Sequence, residues 1–264
     1  MTGQQPYTTQ LGAGLGLVDE TQSLLDLWQP GMDTQALFDV ALESGQFPNV
    51  TARRLRNIIA ECFAPRYIKP DSQPVSWLYK LHRHISTVAL KHLFFLYTAR
   101  ANLILRDFVV ELYWERYASG YSDLTTDDAR DFVERAVRDC KTKTLWSESM
   151  IKRVTSYLVS VCVHYDLLRL AGRKSREINA VRISSCAVVI LAYDLHLQGI
   201  ADNNIINHPD WQLFGLHPED VRDELKRLGV NKFWIIQTAA DVVSISWAYK
   251  TMEEVVDVII ETGL

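Results

Sequence analysis

The sequence predicts a mainly α fold, in which a helical bundle core carries winged helix-turn-helix-like modules and short β-hairpins. Three observations lead to this prediction. Apolar residues recur at helical spacing along most of the chain, strand-like runs are few and short, and the order helix–helix–hairpin recurs. A chain of 264 residues buries roughly 70–75% of the surface that its unfolded form exposes, which is enough for one large domain or several small ones.

The first helices are short and are separated by helix breakers. Residues 19–29 and 33–43 have helical periodicity, and Asp33 is placed to cap the second helix. Residues 51–63 place their apolar side chains on one face. We expect this helix to end at Ala64, because a residue before proline avoids the helical conformation. A wing near residues 67–69 would follow it.

The remainder of the chain continues the helical pattern. Capping-box pairs, Thr125 with Asp128 and Thr251 with Glu254, predict two helix starts, and Ser147 is placed to cap a long amphipathic helix. Further helices are expected at residues 74–84, 86–102, 106–119, 185–198 and 218–228. Two β-hairpins are expected, from residues 167–170 with 178–183 and from residues 233–238 with 242–247.

We expect three modules along the chain. They are an N-terminal helix-turn-helix-like module in residues 1–70, a central helical core with a basic winged element in residues 71–184, and an acidic winged-helix-like module in residues 185–264. Residues 1–49 carry a net charge of -6, residues 50–182 carry +9, and residues 183–264 carry -7. A basic middle between acidic ends favours a polyanionic partner, and the alternative is solvated faces that differ in sign.

The basic residues fall on the outer faces of two predicted helices and on one loop. A recognition helix buries one face and offers cations and forked donors on the other, and close approach to phosphates favours small hydroxyl side chains beside the cations. The third helix–helix–hairpin order, from residue 185 onward, has an acidic second helix and is interpreted as a protein-contact element. The candidate nucleic-acid-binding residues are Arg53, Arg54, Arg56, Ser149, Lys152, Arg153, Ser156, Arg173, Lys174 and Arg176.

Signals for catalysis or for a bound metal are weak. The glycines at positions 12, 14 and 16 lack a preceding strand and the spacing of a dinucleotide loop, so we expect a flexible N-terminal segment there. On a helix, His82 and His84 point about 200° apart, which disfavours a shared metal. Asp107 and Glu111 share a helical face and are the candidate acids of a nuclease, although ordinary helix surface explains them more simply. We therefore expect no enzyme activity, catalytic residue, metal or cofactor.

The composition indicates a cytoplasmic protein. The longest apolar run, residues 186–193, is far shorter than the roughly 20 residues of a membrane span. The first residues lack the basic and apolar regions of a secretory signal. The four cysteines form no C-x-x-C pair and suit a reducing compartment.

Several segments of the sequence resemble the BrxA family, a small component of BREX bacteriophage-exclusion systems. These segments are residues 24–31, 63–67, 96–102, 191–196, 208–215 and 245–250. The resemblance covers nearly the whole chain. It implies a mostly helical protein with helix-turn-helix-like parts that acts in phage defence and binds DNA, and it supplies no active-site residues.

The leading hypothesis is a non-enzymatic, double-stranded DNA-binding accessory subunit of a BREX system. We expect binding to be largely insensitive to sequence, because phosphate contacts supply affinity and carry little base information. The expected partners are double-stranded DNA and other BREX subunits, without a membrane. The alternatives are a protein-interaction scaffold of the defence complex and an RNA-binding helical module.

Overall fold

Helices take up most of the chain, as the periodicity predicts. The computed structural model describes residues 6–14, 16–69, 73–171, 175–229, 233–239 and 242–264. Within these ranges the strands form two small antiparallel sheets, and the other regular elements are helical. The predicted mainly α fold class is therefore confirmed. Across the same ranges, none of the helices has the length and apolar character that a bilayer crossing requires.

The chain folds as two compact units. The first contains Met1–Ser76 and Phe94–Val181, and the second contains Trp77–Leu93 and Arg182–Leu264.

The first helices are short, and the predicted cap at Asp33 is present. They are α1, Val18–Leu27; α2, Thr34–Glu43; and α3, Ala52–Asn57. The Asp33 side chain accepts a hydrogen bond from the Ala36 amide, and the Thr51 hydroxyl accepts one from the Arg54 amide. Both side chains satisfy amides that have no partner within the helix. Leu55 of α3 is 2% exposed, so the predicted apolar face of this helix is buried.

The third helix continues past the proline that we expected to end it. A π-helical segment, Ile58–Ile68, follows α3 directly and contains Pro65. The Lys69 amide donates a hydrogen bond to the Ala64 carbonyl, five residues earlier, which is the π-helical spacing. In an α-helix the proline ring collides with the carbonyl four residues back, and the wider π turn relieves this contact. The predicted stop at Ala64 and the predicted wing at residues 67–69 are wrong, because the helix runs to Ile68.

A run of helices and a three-stranded sheet follow. The elements are α4, Gln73–Leu81; α5, Thr87–Ala101; α6, Leu103–Phe108, with a π-helical continuation Val109–Tyr113; α7, Trp114–Ala118; β1, Asp123–Thr125; α8, Thr126–Arg138; α9, Glu148–His164; β2, Leu168–Leu170; and β3, Ser175–Ile178. The capping box of Thr125 with Asp128 and the Ser147 cap are both present.

The sheet places β3 between β1 and β2, in antiparallel pairing with each. The second strand of the predicted hairpin therefore lies at Ser175–Ile178 and not at residues 178–183. The pairing partners explain this difference, because β2 begins at Leu168, which faces Ile178, and β1 has only three residues. The chain leaves the sheet where these partners end.

The glycine-rich N-terminal segment is packed rather than flexible, which corrects the expectation above. A 3₁₀ turn, Gln10–Ala13, lies against α9 and the π-helical segment. A Cβ atom on Gly12 would lie 2.3 Å from the Tyr157 ring, and one on Gly16 would lie 2.3 Å from His164. Since these approaches leave no room for a side chain, the glycines allow the segment to contact α9 closely.

The second unit is built around a helix that is buried on nearly all sides. Besides the parts of α4 and α5 within Trp77–Leu93, its elements are α10, Ser185–Leu197; α11, Asp202–Ile206; a 3₁₀ helix, Pro209–Phe214; α12, Pro218–Gly229; β4, Trp234–Ala239; β5, Val242–Trp247; and α13, Met252–Thr262. The indole nitrogen of Trp234 donates a hydrogen bond to the Leu225 carbonyl and joins the hairpin to α12. The structure confirms the predicted helices at 185–198 and 218–228 and the second predicted hairpin. The sequence analysis predicted neither α11 nor the 3₁₀ helix.

Candidate nucleic-acid interface

The candidate interface lies on the segment from β1 to β3. The chain passes through β1, α8, α9, β2 and β3 in that order. α8 packs against α9, and Phe132 of α8 and Leu158 of α9 are both buried. α9 also packs against β2. A pair of helices and a small sheet thus form one block within the first unit.

One face of α9 is exposed and carries cations and hydroxyl groups. Ile151, Val154 and Leu158 are buried on the other side of the helix. The exposed residues follow each other at intervals of three and four, and so share one face. They are Ser149, Lys152, Arg153 and Ser156. Among the residues that the structure describes, no carboxylate pairs with Lys152 or Arg153, so both charges face solvent.

The start of α9 is held by a cap and an ion pair. The Ser147 hydroxyl accepts a hydrogen bond from the Met150 amide at 3.4 Å. Arg130 of α8 contacts Glu148 at 2.6 Å and Glu134 at 2.7 Å. The hydrogen bond to Glu134 and the charges of both carboxylates raise the pKa of Arg130. The charge of Glu148, at the end of α9 nearest the exposed cations, is therefore offset by Arg130.

The predicted basic wing is described only in part. Arg173 and Lys174 lie outside the described residues. Arg176 is half-buried on β3, and its Nη1 atom donates a hydrogen bond to the Ser175 carbonyl at 2.9 Å. Arg169 is exposed on β2 and lies opposite Glu177, a cross-strand pairing of opposite charges. Because Arg176 lies opposite Leu170, Arg169 and Arg176 are on adjacent strands but on opposite faces of the sheet.

The arginines of α3 form a second, separate basic group. Arg53, Arg54 and Arg56 are all exposed, as the sequence predicts for the side opposite Leu55. The Arg56 guanidinium lies 4.6 Å from the centre of the Phe38 ring on α2, a cation–π contact that orients it. α3 packs against α2, whereas α9 packs against α8 and β2.

Arg182 follows β3 in the chain and belongs to the second unit. Its guanidinium contacts Glu224 of α12 at 2.7 Å, and Arg227 contacts the same carboxylate at 2.6 Å. Burial alone would raise the pKa of Glu224, but the two guanidinium groups outweigh it and hold this pKa below its ordinary value. Part of the acidic charge of α12 is thus used in ion pairs within the unit.

The candidate nuclease acids take part in structural contacts. Asp107 is 6% exposed and accepts hydrogen bonds from the Tyr7 hydroxyl at 2.5 Å and from the Arg106 Nε atom at 3.0 Å. Burial, followed by the hydrogen bond to Asp107, raises the pKa of Tyr7. Glu111 pairs with Lys141 at 3.3 Å. Over the described ranges, no group of three histidine, cysteine, aspartate or glutamate side chains is arranged to hold a metal.

Sequence reasoning missed a cavity beside the exposed face of α9. This cavity, of about 150 Å³, lies between the N-terminal segment and the helix, and Arg153 contributes to its wall. The other lining residues are Thr9, Gly12, Met150, Val154 and Tyr157. The glycines at positions 12, 14 and 16 were the sequence feature that could have indicated this packing. Alternating glycines are as typical of a backbone that packs closely against another element as of a flexible segment.

Comparisons with known proteins identify one family and one solved structure. The family model described as BrxA matches residues 5–192. A crystal structure of an uncharacterized protein from Magnetospirillum magneticum has a TM-score of 0.59 and 14% sequence identity, and the match covers 79% of this chain and 98% of that one. At this identity the likeness concerns the fold alone. No curated protein matches the chain.

Proposed function

The chain belongs to the BrxA family, and from that premise we propose that it binds double-stranded DNA as a non-enzymatic subunit of a BREX system. Membership makes it a BREX-associated phage-defence protein. The main observation in support of DNA binding is the exposed face of α9, on which Lys152 and Arg153 lie beside small hydroxyl side chains.

The order of elements supports a winged helix-turn-helix mode of binding. In such a domain two helices are followed by a hairpin, and the second helix enters the major groove with its N-terminal residues toward the bases. α8 and α9 would be the helix pair, with α9 as the recognition helix. β2 and β3 would form the wing, and β1 completes the sheet on the far side of β3.

The positions of the exposed side chains on α9 suit this mode. Ser149, Lys152, Arg153 and Ser156 all lie in the first half of the helix, near the capped N-terminus. The amides of that end favour negative charge, and the hydroxyls allow a phosphate to approach the backbone. Lys152 and Arg153 would neutralise phosphates, and we propose that Arg173, Lys174 and Arg176 add further phosphate contacts.

Such contacts give affinity with little sequence preference. Phosphates have the same charge in every sequence, so unrelated duplexes of equal length should bind alike. Neutralising about five phosphates gives a slope near -4 to -5 in a plot of log affinity against log salt. The α3 arginines would serve a second DNA surface.

Fluorescence anisotropy on labelled duplexes over several salt concentrations tests the proposal. We expect binding at low salt, a slope in the stated range and nearly equal affinities for unrelated sequences. Absence of binding at low salt, or a flat salt response, would contradict it. Unlabelled RNA that displaces the duplex at lower concentration than DNA would favour an RNA-binding module instead.

The second unit supports a complementary role in protein contact. Its α12 carries exposed carboxylates at Glu219, Asp220 and Asp223, which would repel phosphates. This unit is therefore proposed to dock on another BREX subunit. Co-purification of that subunit that survives nuclease treatment, and is lost when α12 carboxylates are changed to amides, would support docking.

A further inference from the structure

The outer strands of the two sheets differ in how well their edges are protected. An edge strand has backbone N–H and C=O groups without a partner, and proteins protect it by keeping it short, by placing charges on it or by covering it. β1 and β2 have only three residues each, and Asp123 and Arg169 place a charge on each of them. The edges of the three-stranded sheet are therefore protected.

The outer edge of β5 is covered by side chains of α11. The Val243 amide donates a hydrogen bond to Asn203 Oδ1 at 2.9 Å, and the Ile245 amide donates one to Asp202 Oδ2 at 2.8 Å. Both amides therefore point away from β4. In an antiparallel pair, residues alternate between hydrogen-bonded and non-hydrogen-bonded positions, so Val243 and Ile245 occupy non-hydrogen-bonded positions in the hairpin.

The outer edge of β4 has no such protection. Thr238 and Ile236 lie opposite Val243 and Ile245, so their own backbone groups also point outward, away from β5. Within the described ranges, no hydrogen bond joins these outward groups to another residue. β4 has six residues in unbroken register, without a charge, a proline or a glycine. Its edge thus has the hydrogen-bonding pattern that another strand complements.

The accessible part of this edge is centred on Gln237. α12 covers the start of β4, since a Cβ atom on Gly229 would lie 3.2 Å from the Trp234 carbonyl. Farther along, Ile235 is 66% exposed, and Gln237 is exposed as well. Alternate residues of a strand share a face, so these two side chains lie on the face that the hairpin leaves open. The edge beyond Trp234 can therefore offer a strand both hydrogen bonds and apolar contact.

We propose that β4 pairs antiparallel with β4 of a second copy of this chain, about a twofold axis at Gln237. The pairing places Ile236 of each copy opposite Thr238 of the other and joins two hairpins into a four-stranded sheet. Such an interface satisfies the same edge in both copies at once. It involves neither the exposed face of α9 nor the carboxylates of α12, and so goes beyond the proposed function.

The composition of β4 suits a second copy as its partner. A charged strand would meet its own charge in this pairing, and like charges that lie opposite each other destabilise a sheet. β4 carries no charge that could repel its copy. The side-chain amide of Gln237, at the axis, both donates and accepts hydrogen bonds, so two copies of it complement each other.

Sedimentation equilibrium on the full chain, purified free of nucleic acid, tests the pairing. We expect the average mass to rise from one chain toward two between about 1 and about 300 µM, as for a small interface. Thr238→Pro removes an amide that points away from β5, so it should leave the hairpin intact and remove two hydrogen bonds across the axis. The dissociation constant should then rise at least about tenfold. Thermal unfolding of this variant at the lowest concentration should match the wild type.

Cysteine cross-linking locates the axis. Cys140→Ser first removes the exposed cysteine. In that background Gln237→Cys should form a disulfide between two copies in oxidised glutathione, because a non-hydrogen-bonded antiparallel pair has Cα atoms about 4.5 Å apart. Ser244→Cys is the matched control, since Ser244 is also exposed and lies opposite Gln237 on β5, one strand away from the axis. It should cross-link at least about tenfold more slowly.

Three results would each overturn the pairing. The first is a wild-type chain that stays monomeric over the whole concentration range, which would leave the edge to a strand of another protein. The second is a Thr238→Pro dimer as stable as that of the wild type. The third is equally fast cross-linking by Gln237→Cys and Ser244→Cys.

Discussion

Replacing Lys152 and Arg153 together with alanine should weaken binding to every duplex and flatten its salt dependence. Both side chains are exposed on α9, and no carboxylate within the described ranges pairs with either. Their loss removes two phosphate contacts and leaves the buried face of the helix intact. Surface substitutions of this kind change the free energy of unfolding by about 0.5 kcal/mol or less, so the fold should persist.

The size of the effect follows from the number of phosphates. If Lys152, Arg153, Arg173, Lys174 and Arg176 each neutralise one phosphate, the log–log slope is about -4.5 for the wild type and about -2.7 for the double variant. Raising salt from about 50 to about 200 mM should then weaken wild-type binding about 500-fold and that of the variant only about 40-fold. The two titration curves should converge as salt rises.

A charge-matched control distinguishes the loss of contacts at α9 from the loss of net positive charge. Lys226→Ala combined with Lys250→Ala also removes two exposed cations, but from the second unit. Anisotropy titrations at four or more salt concentrations should give this control the wild-type slope. The assignment of the interface to α9 is refuted if the control flattens the slope as much as the α9 variant does, or if the α9 variant keeps the wild-type slope.

Two further predictions concern stability. Gly16→Ala places a Cβ atom 2.3 Å from His164 at a φ of +56°, and it should lower the free energy of unfolding in urea by about 2–4 kcal/mol. Gly199 has a φ of +80° and open space around it, so Gly199→Ala should lower this free energy by only about 1 kcal/mol. Burial lowers the pKa of His196, so the unfolded chain binds a proton more readily, and stability should fall as pH drops below about 6.5. His196→Gln should reduce that fall between pH 7 and pH 5 in urea titrations, and an undiminished fall would contradict the prediction.

The sequence predicted those features that depend on local spacing. The exposed and buried faces of α9 follow from a repeat of three and four residues, and the caps at Asp33, Thr125 and Ser147 follow from side chains that reach an amide three positions ahead. These interactions are complete within one or two helical turns. They therefore appear in the sequence and persist in the fold.

The features that were missed depend on residues distant in the chain. Pro65 would end an isolated helix, and its place inside a π-helical segment depends on the surrounding core. β1 has only three residues, too few to show the alternation that identifies a strand in a sequence. It is a strand because it pairs with β3, about 50 residues later in the chain. From the sequence alone the N-terminal glycines suggest a flexible segment, and only their contact with α9 shows that the segment is packed.

α9 packs against the N-terminal segment and also carries the proposed DNA-binding surface. Changes in that packing should therefore affect the binding surface. Gly12 packs against Tyr157 on α9, and the Tyr165 hydroxyl just beyond the helix donates a hydrogen bond to the Gly16 carbonyl. Since a helix turns as a rigid body, these contacts also fix the direction in which Lys152 and Arg153 point. Affinity for DNA should therefore depend on N-terminal packing even though that segment contributes no charge to the exposed face of α9.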